Sequence, residues 1–120
     1  MAGWSLTAEA EDQVVVLAGT VANGEPRLVR LQEHAMDLAP ADVMLISHHR
    51  DRPGTVGRVG VLLGEADVNI SSMTLARSAP RADAYMVLAL DDDVPSSVVR
   101  AIESDDAVID VWVVRLDGAR

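Results

Sequence analysis

A group of residues in the middle of the chain combines types that could do chemistry together. His49, Asp51 and Arg52 bring an imidazole, a carboxylate and a guanidinium to the run Pro53-Gly54-Thr55, which reads as the opening of a helix. Proline suits a first helical turn, where its missing N–H costs nothing. Unpaired N–H groups at a helix start attract a carboxylate, and a carboxylate side chain a few residues away suits an ammonium. The set describes a receptor for an α-amino acid zwitterion. Gly54 carries no Cβ, so a small ligand can approach the loop backbone. Asn69, with Ile70 behind it, opens the next expected strand, and its amide can both donate and accept. Turn capping with no ligand is the alternative role for Asp51 and Asn69.

Other chemistries find less support. His48 and His49 are adjacent, so in extended chain they point to opposite sides and cannot chelate one ion. His49 and Asp51 share a side, but two ligands make a weak site and His34 is the only other imidazole; no metal is expected. Ser47, His49 and Asp51 are too close in sequence for a catalytic triad, and no nucleophile elbow is present. The run Asp91-Asp92-Asp93 lacks the glycine and distal glutamate of a calcium loop and reads as a solvated helix start. Gly54, Gly57, Gly60 and Gly64 do not follow the dinucleotide fingerprint. Gly57, Gly60 and Gly64 instead fall on one helix face, each costing about 1 kcal/mol of helix propensity relative to Ala. Either close packing against another backbone or close approach of a ligand would explain them, and the two are compatible.

Composition narrows the choice further. The 120 residues are 49% hydrophobic and 24% charged, the balance of a folded chain. With no Cys and no Lys, disulfides, thiolate metal sites, iron–sulfur ligation, Schiff-base chemistry and a Walker A lysine are all excluded. The net charge of −9 argues against nucleic acid, because phosphate binding needs clustered cations. Only residues 42–81, with five Arg against four acids, are not acidic. No apolar run approaches the roughly 20 residues needed to span a membrane, and the acidic N-terminus lacks a signal-peptide core. A cytoplasmic chain with no cofactor and no catalysis of its own is expected.

Two regions emerge. Residues 13–21, 27–31 and 35–38 read as short strands, with a turn at Asn23-Gly24-Glu25-Pro26. About 40 residues cannot bury a self-sufficient core, so residues 1–41 are either an extension packed on the main domain or the tail of a neighbouring one. Residues 42–120 show strand patterns at 43–46, 68–77, 84–90 and 108–116. Helical spacing appears at Val56, Val59, Leu63 and Ala66, and again at Val98, Val99, Ala101 and Ile102 after Pro95. The β-α-β-β-α-β order predicts an α+β ferredoxin-like sandwich, four antiparallel strands with both helices on one face. Three of those strands are apolar on both faces, so the uncovered face is expected to meet another subunit in a homodimer. Residues 1–38 are expected to add little to the stability of 42–120.

The stretch from His49 to Ile70, with Asp51-Arg52-Pro53-Gly54 before the helix and Asn69-Ile70 after it, resembles the opening of an ACT domain. More narrowly it resembles the C-terminal regulatory domain of D-3-phosphoglycerate dehydrogenases. The resemblance covers residues 42–116. Residues 13–38, with Leu17-Ala18-Gly19-Thr20-Val21 and Pro26-Arg27-Leu28-Val29-Arg30-Leu31, resemble the last strands of the intervening domain that precedes ACT in the long-form enzymes. The resemblance implies allosteric control of L-serine biosynthesis: L-serine bound at a dimer interface, Asp51 on the ammonium, His49 and the loop N–H groups of Arg52, Gly54 and their neighbours beside Pro53 on the carboxylate, and Asn69 with Ile70 from the second subunit. Some relatives carry Asn where this chain has Asp51. The implied partners are a small amino acid, a second copy through the ACT sheet and a catalytic dehydrogenase domain. Two other readings stand beside this one: a ligand-free dimerisation module, and the ACT region of an iron–sulfur L-serine dehydratase.

Overall fold

The computed structural model describes residues 3–10, 13–77 and 82–116. Its first four strands, β1 (Gly3–Ala10), β2 (Gln13–Ala22), β3 (Glu25–Leu31) and β4 (His34–Leu38), form one antiparallel sheet in chain order. The β2–β3 turn is set by Asn23 and Gly24, both at positive φ (54° and 78°), the backbone of a tight two-residue hairpin. The sequence of β1, with Thr7 its only β-branched residue, gives no strand signal of its own. Its register against β2 places Trp4 opposite Gly19. There the missing side chain matters: a Cβ on Gly19 would lie 2.0 Å from Trp4 Cζ2.

The remaining elements are β5 (Val43–Arg50), α1 (Thr55–Glu65), β6 (Ile70–Arg77), β7 (Asp83–Leu90), α2 (Ser96–Glu103) and β8 (Val108–Arg115). Strands pair in the order β6-β7-β5-β8, all antiparallel. The expected β-α-β-β-α-β order is present, and the class is α+β. Both helix starts lie slightly later than the sequence suggests. Gly54, at φ 89°, is the N-cap of α1, so Pro53 sits in the preceding turn; Pro95 caps α2 rather than lying inside it. Helix α1 ends in a Schellman turn. The N–H of Val68 donates to Leu63 and that of Asp67 to Gly64, with Asp67 left-handed at φ 60°. This directs the chain into β6.

Alternation along the strands explains why they are apolar on both faces. Val43, Leu45, Met86, Leu88 and Val111 pack with Val59 and Leu63 of α1 and Ile102 of α2. Their neighbours Met44, Ile46, Val87, Trp112 and Val114 point the other way, onto Val15, Leu17, Leu28, Leu31 and Leu38 of the first sheet. The molecule is therefore layered helices, sheet, sheet. The expectation that a second subunit covers this face does not hold, because the first sheet of the same chain covers it. The same packing runs against the expectation that residues 1–38 contribute little to stability. Those strands supply half of the buried residues of this shared core.

Candidate functional site

The end of β5 and the turn into α1 hold most of the residues singled out by sequence. His49 is 1% exposed and its Nδ1 lies 3.1 Å from Ser47 Oγ. Burial lowers its pKa from the usual histidine value, against the opposing pull of the nearby Asp51 carboxylate. The ring is thus neutral near pH 7. Backbone bonds fix the loop: Arg50 N–H to Ala107 at 2.7 Å, Asp51 N–H to Ala82 at 2.9 Å and Arg52 N–H to Arg50 at 2.9 Å. Arg52, Pro53 and Gly54 are exposed. A cleft of about 430 Å³ is lined by Arg50, Asp51, Arg52, Asp83 and Ile109.

The Asp51 carboxylate is engaged within the chain. Arg77 Nη1, at the end of β6, lies 2.6 Å from Asp51 Oδ2. Register explains the encounter: Arg77 and His49 both pair with Ala84 of β7, so all three lie in one row across the sheet. Ala84 between them carries only a methyl group. Sequence spacing does not find Arg77, because strand register alone brings it to Asp51. Arg58 of α1 makes a second ion pair, bidentate to Asp105 beyond α2. Its guanidinium holds the Asp105 carboxyl below the usual carboxylate value, helped by the N–H of Ala107.

Asn69 and Ile70 lie elsewhere. Ile70 pairs with Leu90, which pairs with Val43, so they sit at the opposite end of β5 from His49. At about 3.4 Å per residue that is on the order of 20 Å. The Asn69 side chain donates to Asp91 at 2.6 Å and its N–H to Asp92 at 3.1 Å. One chain therefore brings together His49, Asp51, Arg52, Pro53 and Gly54, but not Asn69 and Ile70.

The glycines of α1 do not pack closely against this chain. A Cβ on Gly57, Gly60 or Gly64 would meet nothing within 4 Å. Gly54 and Gly57 line a larger groove, about 610 Å³, with Val61, Leu62, Ala101 and Ser104. That groove is more apolar than the Asp51 cleft and contains neither His49 nor Asp51. Its charged lining is the Arg58–Asp105 pair, whereas the smaller cleft is lined by Arg50, Asp51, Arg52 and Asp83. Among the described residues no group of three or more His, Asp or Glu is placed to hold a metal ion, and no helix is long and apolar enough to cross a membrane.

The profile of the ACT domain family matches residues 43–107, which run from the first residue of β5 to the turn before β8 and take in the whole loop just described. The chain belongs to the ACT domain family. It is also similar to three D-3-phosphoglycerate dehydrogenases. The identity is 34% over 111 residues with that of Methanocaldococcus jannaschii, 92% of this chain and 21% of that protein. With that of Synechocystis it is 38% over 96 residues, 80% and 17%. With that of Mycobacterium tuberculosis it is 38% over 95 residues, 78% and 18%. The chain thus spans about a fifth of the length of these relatives. The first of these matches is longer than the ACT match by itself, so the similarity takes in part of the first sheet as well as the ACT domain.

Proposed function

We propose that this chain is the effector-binding regulatory part of a D-3-phosphoglycerate-dehydrogenase-type enzyme, with no catalysis of its own, and that its effector is a small α-amino acid, L-serine first. The observation that carries the reading is the exit of β5: a carboxylate, a buried neutral imidazole and the start of α1 within a few residues of a cleft. An ammonium finds Asp51; a carboxylate finds the positive end of α1, which opens at Gly54. The position of Asn69 favours a site completed by a second copy of a ferredoxin-like ACT sheet. Strand β6 is an edge strand. Antiparallel pairing of two β6 strands about a two-fold axis would bring Asn69 of one copy towards the Arg77 end of the other.

Calorimetry with L-serine, glycine and L-alanine tests this reading. Asp51→Ala should weaken binding by about 10- to 150-fold, the loss of one charge-assisted hydrogen bond of roughly 1.5–3 kcal/mol. Sedimentation should show a dimer. Absence of heat with all three at millimolar concentration favours the second reading, a ligand-free dimerisation module. That alternative is favoured by one observation: the described buried side-chain polar atoms all have partners within the chain.

A further inference from the structure

Beyond the amino-acid contacts, we infer that Arg50 and Arg52 form an anion subsite in the same cleft, fitted to a tetrahedral oxyanion of the phosphate type, free or carried on the side chain of an amino acid. Both arginines line the cleft, with Asp51, Asp83 and Ile109. Arg27, Arg58, Arg77 and Arg115 each hold a carboxylate of the chain. Among the described residues, the side chains of Arg50 and Arg52 form no ion pair. The carboxylates nearest to them are engaged elsewhere. Asp51 Oδ2 lies 2.6 Å from Arg77 Nη1. Asp83 is the register partner of Arg50, yet its Oδ2 lies 3.4 Å from His48 Nε2. Asp105 feels Arg52 only as the last of its influences and is held by both Arg58 nitrogens and the N–H of Ala107.

The backbone fixes where the two side chains start. The N–H of Arg50 is held by Ala107 and that of Asp51 by Ala82, one on each flank of β5, and the N–H of Arg52 closes on the carbonyl of Arg50. The arginines are thus anchored two residues apart on a loop pinned from both sides. The cleft they border, about 430 Å³, has the volume of a small-molecule site. No acid in the first turn of α1 competes for them. Two guanidiniums present roughly ten N–H donors, against the roughly four lone-pair sites of a single carboxylate. A phosphate monoester brings three acceptor oxygens and close to two negative charges, enough to engage both planar forks at once. A nucleic acid does not fit a chain of net charge −9, but a single small oxyanion needs only this local pair of cations. The subsite does not depend on the amino-acid reading and can be tested apart from it.

The test is calorimetry and phosphorus resonance titration of the full chain with inorganic phosphate, O-phospho-L-serine and L-serine, at constant ionic strength in chloride. The variants are Arg50→Gln, Arg52→Gln and the double change, with circular dichroism confirming each fold. Arg30→Gln is the control, an exposed arginine of β3 in the first sheet. The native chain should bind the phosphate-bearing ligands. Each cleft variant should weaken them roughly fivefold, the upper range for an exposed ion pair, and the double change roughly 25-fold. The loss should be several-fold greater for O-phospho-L-serine than for L-serine. Asp83→Asn, which removes a negative charge from the cleft, should tighten phosphate. If O-phospho-L-serine binds more tightly than phosphate and displaces it, the oxyanion is carried on the amino acid; if phosphate and L-serine bind together, it is free, and both results support the subsite. The inference is overturned if neither phosphate-bearing ligand binds, if Arg30→Gln weakens them as much as the cleft variants do, or if L-serine loses as much affinity as O-phospho-L-serine. Phosphate binding that needs Arg50 and Arg52 in a chain that binds no amino acid would remove the receptor reading and leave the subsite standing.

Discussion

Removing the first sheet should unfold the ACT domain rather than leave it intact. A shortened chain beginning at Pro40 would lose Val15, Leu17, Leu28, Leu31 and Leu38 and uncover Met44, Ile46, Val87, Trp112 and Val114. Each of the four aliphatic side chains uncovered is worth about 1.5–3 kcal/mol when fully buried, or roughly 6–12 kcal/mol together, before Trp112 is counted. Partial burial in the unfolded ensemble trims such figures by roughly 10–40%. A chain of this length is stable by only about 6–18 kcal/mol. The loss is therefore comparable to the whole, and the shortened chain should lose its cooperative melt or associate through the bare face. A milder perturbation keeps the reasoning testable if the shortened chain cannot be handled. Leu28, fully buried, should cost about 2–5 kcal/mol on conversion to Ala, a melting shift of roughly 10 °C or more at this size. Urea unfolding followed by tryptophan emission is the assay, because Trp112 lies in the shared core and Trp4 packs against it. A single transition, shifted equally by fluorescence and by circular dichroism, is expected for Leu28→Ala. A monomeric chain from Pro40 that melts within a few degrees of the full one, with Trp112 emission still blue-shifted, would refute the shared core.

Two further predictions concern the fold. Gly19→Ala should expel the Trp4 ring, since the new methyl would overlap its six-membered ring at 2.0–2.6 Å; red-shifted Trp4 emission in a Trp112→Phe background, with a lower urea midpoint, would be the sign. Acid should destabilise the chain in two steps. His49 has a lowered pKa through burial, so the unfolded state binds its proton more readily. Its contribution is complete above about pH 6.5 and is lost as pH falls from there through the lowered folded value. Asp93 and Asp105 are held below the usual carboxylate value by Arg115 and Arg58 respectively. Their contribution persists down to about pH 4 and is lost as pH falls further through their folded values. Urea midpoints from pH 7.5 to 3 should show both steps in the native chain, and His49→Gln should remove the upper one alone.

Local physics made much of this protein legible from its residues in order. Apolar runs of β-branched residues and the 3.6-residue spacing of Val56, Val59 and Leu63 mark strands and helices whatever surrounds them. The Asn23-Gly24 turn follows from backbone sterics. The loop from His49 to Gly54 could be read as a charge receptor because its members are sequence neighbours. Three features were decided only by the tertiary structure. The strands apolar on both faces reported correctly that both faces are buried, but not by what: an apolar pattern is the same whether the cover is another subunit or the chain's own N-terminal meander. Strand β1 owes its conformation to its pairing with β2 and the gap at Gly19, not to its own propensity. The division of the site came from register. Asn69 and Arg77 stand at opposite ends of one strand, and pairing across β7 gave Arg77, not Asn69, to Asp51 of the same chain. Register is set by cumulative pairing across a whole sheet, and no short motif carries it.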